Sequence, residues 1–190
     1  MVRAIDDGIA CGQFSSAIEQ ELAAFWMARR AEIHHVLARA DELGRRLQNR
    51  LSTFTLCHAD IHTANLLIDS QGRLFVVDWD ETLLAPKERD LMFIVGGAVG
   101  GELINARQEA LFFADVGYGA TEIDPFALAY YRYEWVVQEM GDYGERVFLA
   151  NDVGDETKCD AVLGFQQLFQ PGDVVEVAYA SEKNLLDGAI

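Results

Sequence analysis

The residues best suited to chemistry lie in one short segment, residues 58–65, and at one position beyond it. His58, Asp60 and Asn65 are spaced H-x-D-x-x-x-x-N, and Asp78 follows thirteen residues after Asn65. Phosphoryl transfer to a hydroxyl needs a carboxylate that accepts the proton and oxygen ligands that hold Mg²⁺ against the nucleotide phosphates. We therefore predict that Asp60 is the base and that Asn65 and Asp78 are the Mg²⁺ ligands.

A β-hairpin over residues 66–77 is predicted to bring these side chains together. Two short apolar runs, residues 66–68 and 74–77, flank the sequence Asp-Ser-Gln-Gly, which is typical of a tight turn. A hairpin returns the chain to its starting point, so Asn65 and Asp78 can reach one ion. The polar loops before and after the hairpin are the expected place for chemistry on a rigid scaffold.

The remainder of the chain has mostly helical patterns. Apolar residues over 16–48 recur at helical spacing, and Gly44 is a candidate break because the stretch is long for one helix. Asp124 and Pro125 predict a helix start by capping and by the preference of proline for the first position. Further helices are predicted at residues 90–99, 103–116, 160–169 and 174–180. The fold class is therefore α+β and mostly helical, with residues 1–50 helical, 51–85 holding the catalytic loop and hairpin, and 86–190 helical.

Composition and charge disfavour some classes of partner. Half of the 190 residues are hydrophobic (51%) and the net charge is -16. This content is sufficient for a core, which argues against a disordered chain. The excess of acidic residues disfavours binding to nucleic acid or to anionic membranes, because both interactions depend on Lys and Arg side chains of the protein. It would instead attract a cationic small molecule.

The cysteines and the apolar stretches indicate a cytoplasmic protein. Cys11, Cys57 and Cys159 are scattered and include no C-x-x-C pair, so neither a disulfide framework nor a thiolate zinc site is indicated. No basic and apolar leader is recognisable, and no apolar run approaches the roughly 20 residues that span a bilayer.

The motif belongs to a longer recognisable segment. Residues 56–93, LCHADIHTANLLIDSQGRLFVVDWDETLLAPKERDLMF, resemble the core of the aminoglycoside phosphotransferase and choline kinase superfamily. With residues 124–136, DPFALAYYRYEWV, the likeness is greatest to the spectinomycin phosphotransferase branch. The resemblance implies the C-terminal lobe of a protein-kinase-like fold, with ATP and Mg²⁺ as cofactors. It also implies that His58 and Asp90 brace the catalytic loop and that Trp79 stands where protein kinases have the Phe of D-F-G.

Two features favour a small-molecule kinase over a protein kinase. Ala59 stands where protein kinases place an Arg, and eleven residues separate Asp78 from Asp90, too few for a long regulatory loop. Choline, a homoserine-like metabolite and an aminocyclitol or aminoglycoside antibiotic remain open as substrates.

No Gly-rich phosphate loop or strand lysine precedes the motif, and Lys87 is the first lysine. We therefore expect that the ATP-clamping N-terminal lobe is absent from this chain.

Two other functions remain open at this point. A non-catalytic remnant would bind a small molecule or partner without transferring phosphate, and self-association through the surface left by the absent lobe is expected in either case. A metal-dependent hydrolase would use His58, Asp60 and His62, since imidazole and carboxylate suit transition metals. The hydrolase does not account for Asn65 and Asp78.

Overall fold

A computed structural model of the protein describes residues 1–50, 53–96, 98–99, 102–114 and 117–187. Within these ranges the chain is mostly helical, as predicted, with three small antiparallel two-stranded sheets. The helices are α1 (Val2–Cys11), α2 (Ala17–Leu47), α3 (Glu88–Leu91), α4 (Ala106–Phe112), α5 (Pro125–Phe148), α6 (Asp155–Gln167) and α7 (Val174–Asp187). The strands are β1 (Phe54–Cys57), β2 (Leu66–Ile68), β3 (Leu74–Val76), β4 (Leu83–Pro86), β5 (Ala98–Val99) and β6 (Glu102–Leu103).

Helix α2 is one uninterrupted helix of 31 residues. Its start is fixed by Ser16, whose hydroxyl accepts a hydrogen bond from the N–H of Ile18, while Glu19 reaches back to the N–H of Ser16. The predicted break at Gly44 is wrong. Glycine costs only about 1 kcal/mol in a helix interior, and the neighbouring side chain of Leu43 is buried, so packing outweighs this cost.

The chain forms two compact units, and the first comprises residues 1–44 and 133–176. Its core contains Trp26, which stacks on Phe165 with ring centroids 4.9 Å apart. Asp6 of α1 is buried beside this core, and its carboxylate accepts hydrogen bonds from the indole of Trp26 and the guanidinium of Arg30. The side chain of His34 lies 2.8 Å from the same carboxylate. These partners satisfy a buried charge that would otherwise be costly.

The second unit comprises residues 45–132 and 177–190 and contains every predicted site residue. Strand β2 pairs with β3 in the predicted hairpin, with Leu66 opposite Val76. Strand β1 pairs with β4, with Cys57 opposite Leu83, and this second pairing was not predicted. The catalytic loop therefore connects β1 of one sheet to β2 of the other.

The helices after the hairpin differ from the prediction in their lengths. The helix predicted over residues 90–99 is wrong in extent, because α3 ends at Leu91 and turns follow as far as Gly96. A helix as far as residue 99 is also ruled out further along, because Gly96 has φ +55° and residues 98–99 form strand β5. The helix predicted over 103–116 is α4, which begins after a capping box formed by Asn105 and Gln108. Residues 115–116 lie outside the described residues.

The predicted start of α5 is confirmed. Pro125 is its first residue, and the side chain of Asp124 accepts a hydrogen bond from the N–H of Phe126 at 2.9 Å. Helix α6 begins before its predicted start at residue 160 and ends at Gln167, short of the predicted residue 169. Helix α7 begins at Val174 as predicted and continues past residue 180 to Asp187. None of the helices in the described ranges combines the length and the hydropathy that crossing a membrane requires.

Candidate catalytic loop and metal ligands

Asp90 binds the backbone at the start of the catalytic loop. Its Oδ2 accepts a hydrogen bond from the N–H of His58 at 2.9 Å, and its Oδ1 accepts one from the N–H of Ala59 at 2.7 Å. Charged acceptors make such bonds about twice as strong as neutral ones. Ala59 has φ +71°, which is strained for a residue with a side chain. The two bonds therefore hold a bend that the local sequence alone would not favour.

His58 connects the loop to the end of the hairpin. Its Nδ1 accepts a hydrogen bond from the N–H of Asp60 at 3.3 Å, so in the neutral ring Nε2 carries the proton. Nε2 lies 2.8 Å from the carbonyl oxygen of Val77 and donates to it. The ring is buried, and it lies 4.7 Å from the ring of Trp79, centroid to centroid.

These hydrogen bonds of His58 argue against the metal-dependent hydrolase. Because backbone groups occupy both ring nitrogens of His58, that residue has no lone pair to offer a metal in this arrangement. In the parts of the chain that the structure describes, no three His, Cys, Asp or Glu side chains are grouped so that they could hold an ion.

Asp60 and Asn65 are joined directly. The Nδ2 of Asn65 donates to the carbonyl oxygen of Asp60 at 2.8 Å and to its Oδ2 at 2.9 Å. Asn65 is buried, and it ends a short 3₁₀ turn, Thr63–Asn65, which folds the loop back on itself. Both bonds use Nδ2 and neither uses Oδ1, the oxygen through which an asparagine binds a cation.

The hairpin fixes where Asp78 lies relative to Asn65. The N–H of Val77 donates to the carbonyl oxygen of Asn65 at 3.0 Å, which extends the β2–β3 ladder by one step. Asp78 is the next residue, with φ +62° and an exposed side chain. Ala59 and Asp78 are the described non-glycine residues with positive φ, and such strain is concentrated at functional sites.

The donor set at this end of the hairpin fits Mg²⁺. Hard divalent cations prefer carboxylate and amide oxygens, and Asp78 and Asn65 offer one of each. No sulfur or imidazole ligand is needed, in contrast to a zinc site. The roles of Asp60, Asn65, Asp78, His58 and Asp90 stay predictions. Hydrogen bonds connect four of these residues with one another and with Val77, and Asp78 is the next residue along the chain.

His62 lies beside Asp60, although the sequence predicted a role for it only in the alternative metal-dependent hydrolase. Its Nε2 is 3.4 Å from the Oδ2 of Asp60 and 3.5 Å from the Nδ2 of Asn65. The only sequence signal was the spacing of His58, Asp60 and His62, which also suits a metal site. Spacing alone does not reveal that His62 faces the carboxylate while His58 binds the backbone.

Comparisons with known proteins give one family. A sequence model of the phosphotransferase enzyme family matches residues 13–126. A solved structure of the spectinomycin phosphotransferase APH(9)-Ia, in complex with ADP and spectinomycin, is 34% identical with a TM-score of 0.79, and the match covers 95% of this chain and 54% of that chain. The AMP-bound complex of that enzyme gives 34% identity, a TM-score of 0.77 and the same coverage, 95% and 54%. No curated protein sequence matches the chain.

These comparisons confirm the predicted resemblance and the partial kinase-like fold. The chain spans about half the length of the solved structures that it matches, since the match covers 54% of each. The matched family segment contains the loop, the hairpin and α3.

Proposed function

The chain belongs to the phosphotransferase enzyme family, and from this premise we propose that it carries the base and the Mg²⁺ ligands of a small-molecule kinase. The reaction is transfer of the γ-phosphoryl group of ATP to a hydroxyl of a small cationic molecule, such as an aminoglycoside or aminocyclitol. One observation carries the proposal. The amide of Asn65 binds the carboxylate of Asp60 at 2.9 Å, in a loop whose backbone is held by Asp90.

In this reaction Asp60 orients the hydroxyl and accepts its proton. The hydroxyl oxygen forms a bond to the γ-phosphorus, and the bond from that phosphorus to the bridging oxygen breaks, so that ADP leaves with the electron pair. Such transfer depends mainly on positioning and on charge stabilisation. The hydrogen bonds from Asn65 and the bend at Ala59 supply the positioning, because they limit the orientations of Asp60.

Asn65 Oδ1 and the carboxylate of Asp78 would hold Mg²⁺. A bound Mg²⁺ would neutralise charge on the phosphates of the nucleotide. The exposed side chain of Asp78 and the unused oxygen of Asn65 support this assignment. The positive φ of Asp78 supports it further, because the surrounding bonds keep that residue in a costly conformation.

The matched structures and the charge of the chain support the choice of substrates. The solved complexes contain ADP with spectinomycin, or AMP. The net charge of -16 would attract a cationic acceptor. Action in the cytoplasm, where ATP is available, is part of this proposal.

The test is transfer of labelled phosphate from γ-labelled ATP to spectinomycin by the purified chain with Mg²⁺. We expect Asp60→Asn to lower the rate by about 10²–10⁴-fold, the range that removing a general base produces, without changing the thermal midpoint of unfolding. Asp160→Asn is the matched control, because Asp160 is an exposed carboxylate on α6.

Two outcomes would contradict parts of the proposal. Equal turnover by Asp60→Asn and the parent would exclude Asp60 as the base. No transfer by the parent to spectinomycin or to other cationic acceptors would mean that this chain is not a working kinase by itself, and would favour the non-catalytic alternative.

A further inference from the structure

His62 begins the 3₁₀ turn that contains Asn65. Its Nδ1 accepts a hydrogen bond from the N–H of Ala64 at 3.2 Å, and its backbone is extended, with φ -88° and ψ 172°. A nitrogen that accepts a hydrogen bond has its lone pair free of a proton. The neutral ring therefore carries its proton on Nε2.

The protonated Nε2 has two close polar neighbours, and it can bind only one of them. The Nδ2 of Asn65, at 3.5 Å, is itself a donor, while the Oδ2 of Asp60, at 3.4 Å, is an acceptor. The distance of 3.4 Å exceeds that of an ordinary hydrogen bond. Hydrogen bonds in unliganded active sites are often long and shorten in the reactive complex.

We propose that His62 is a positioning residue for Asp60, whose Nε2–H, together with the amide of Asn65, holds Oδ2 and leaves Oδ1 to receive the substrate proton. Two donors then restrain one oxygen from two directions, which fixes the plane of the carboxylate. The inference rests on the proposed function, since it assigns the second donor to the base of that reaction.

Two substitutions separate this role from the capping role of the same ring. Asn at an N-cap accepts a hydrogen bond through its side-chain oxygen, so His62→Asn keeps the cap and removes the donor to Asp60. His62→Gln is longer, and its Nε2 can replace the donor at Oδ2. Both variants should unfold at the temperature of the parent within a few degrees.

The kinetic test measures kcat and KM for ATP with spectinomycin as acceptor. We expect kcat of His62→Asn to fall by about 10–100-fold, as for other residues that orient a reactive group, with KM for ATP unchanged. His62→Gln should recover most of kcat. Full activity of His62→Asn, equal loss in both variants, or a loss confined to KM would overturn the proposal.

A second measurement does not depend on turnover. Nitrogen-15 NMR of His62 in the full chain at pH 8 should show a proton on Nε2 and none on Nδ1, and the Nε2 proton resonance should shift upfield in Asp60→Leu. A proton on Nδ1, or a resonance unchanged in Asp60→Leu, would overturn the inference. If the parent transfers no phosphate, the proposed function fails, and the NMR result still decides whether His62 holds Asp60.

Discussion

The carboxylate of Asp90 is bound to the N–H of Ala59 at 2.7 Å, at the residue where the catalytic loop takes a left-handed conformation. An alanine in this conformation costs roughly 1–2 kcal/mol. A hydrogen bond to a charged acceptor contributes a similar amount. One side chain from α3 therefore offsets the strain in the loop that carries Asp60.

Removing this acceptor should destabilise the second unit. Asp90→Ala leaves the buried N–H groups of His58 and Ala59 without their acceptor, and we expect the free energy of unfolding to fall by about 2–4 kcal/mol. Urea unfolding measures this change. Asp80→Ala, which removes an exposed carboxylate of the same unit, should change the stability by less than about 0.5 kcal/mol. Similar values for the two variants would exclude the bracing role of Asp90.

Nucleotide binding should depend on Mg²⁺ through Asp78. Calorimetric titration of ADP into the chain should give tighter binding with Mg²⁺ than without it. Asp78→Ala should remove the gain due to Mg²⁺, at least about tenfold in affinity, while the metal-free affinity stays the same. Asp160→Asn should behave as the parent. If Asp78→Ala binds Mg²⁺-ADP as tightly as the parent does, Asp78 is not a ligand.

Cys57 should be the slowest thiol to react. Burial, and secondarily the charge of Asp90, raise the pKa of its thiol to about 11, and its Sγ lies 3.6 Å from the carbonyl oxygen of Pro86. Only the thiolate reacts, so little of it is available at pH 8. With a chromogenic disulfide reagent, Cys11 and Cys159, which are exposed, should react quickly, and Cys57 should react only after unfolding.

A double variant isolates this thiol. The variant that combines Cys11→Ser with Cys159→Ser should show no fast phase at pH 8. The rate at which its remaining thiol, Cys57, reacts should rise as the pH approaches 11. A fast phase in that variant at pH 8 would mean that the β1–β4 sheet opens readily and that Cys57 is not protected.

Asp6 should make the stability of the first unit depend on acid pH. Burial by itself would raise the pKa of this carboxyl, but hydrogen bonds from Arg30, His34 and Trp26 outweigh it and lower the pKa to about 2, from 3.8. A lowered pKa means that the ionised group stabilises the fold above about pH 4, and that this contribution is lost as the pH falls from about 4 to about 2. The contribution is on the order of 2 kcal/mol.

The measurement compares Asp6→Asn with the parent by urea unfolding between pH 2 and pH 7. The difference should be greatest above pH 4 and should shrink toward pH 2, because the parent then loses the same charge. Asp7→Asn removes the adjacent, exposed carboxylate and should have little effect at any pH. A difference for Asp6→Asn that is constant with pH would contradict the assignment.

The parts of the fold that sequence predicts well are those with local signals. The hairpin turn follows from the side chain of Asp69, whose Oδ1 accepts hydrogen bonds from the N–H groups of Gln71 and Arg73, and from Gly72 at φ +77°. The start of α5 follows in the same way from Asp124. In both cases the residues that make the structure are within a few positions of each other.

The parts that sequence did not predict depend on distant partners. Thr55 of β1 pairs with Ala85 of β4, thirty positions later, and no periodicity within either strand reveals that pairing. Similarly, the hairpin predicts that Asn65 and Asp78 approach each other. The position of His62 beside Asp60 depends on a side-chain direction that spacing does not specify. The approach of Asn65 and Asp78 could therefore be predicted from the sequence, whereas the placement of His62 as a donor beside Asp60 could not.

The tip of the β2–β3 hairpin has a practical use. Ser70 and Gln71 are exposed there, at the end of the ladder opposite to Asn65 and Val77. Register is fixed by paired strand residues, and exposed loop tips accept added sequence. A fluorophore attached to the side chain at position 70 would therefore label the hairpin at the end away from Asn65 and Val77, and it would leave the hydrogen bond from Gln71 to Asp69 in place.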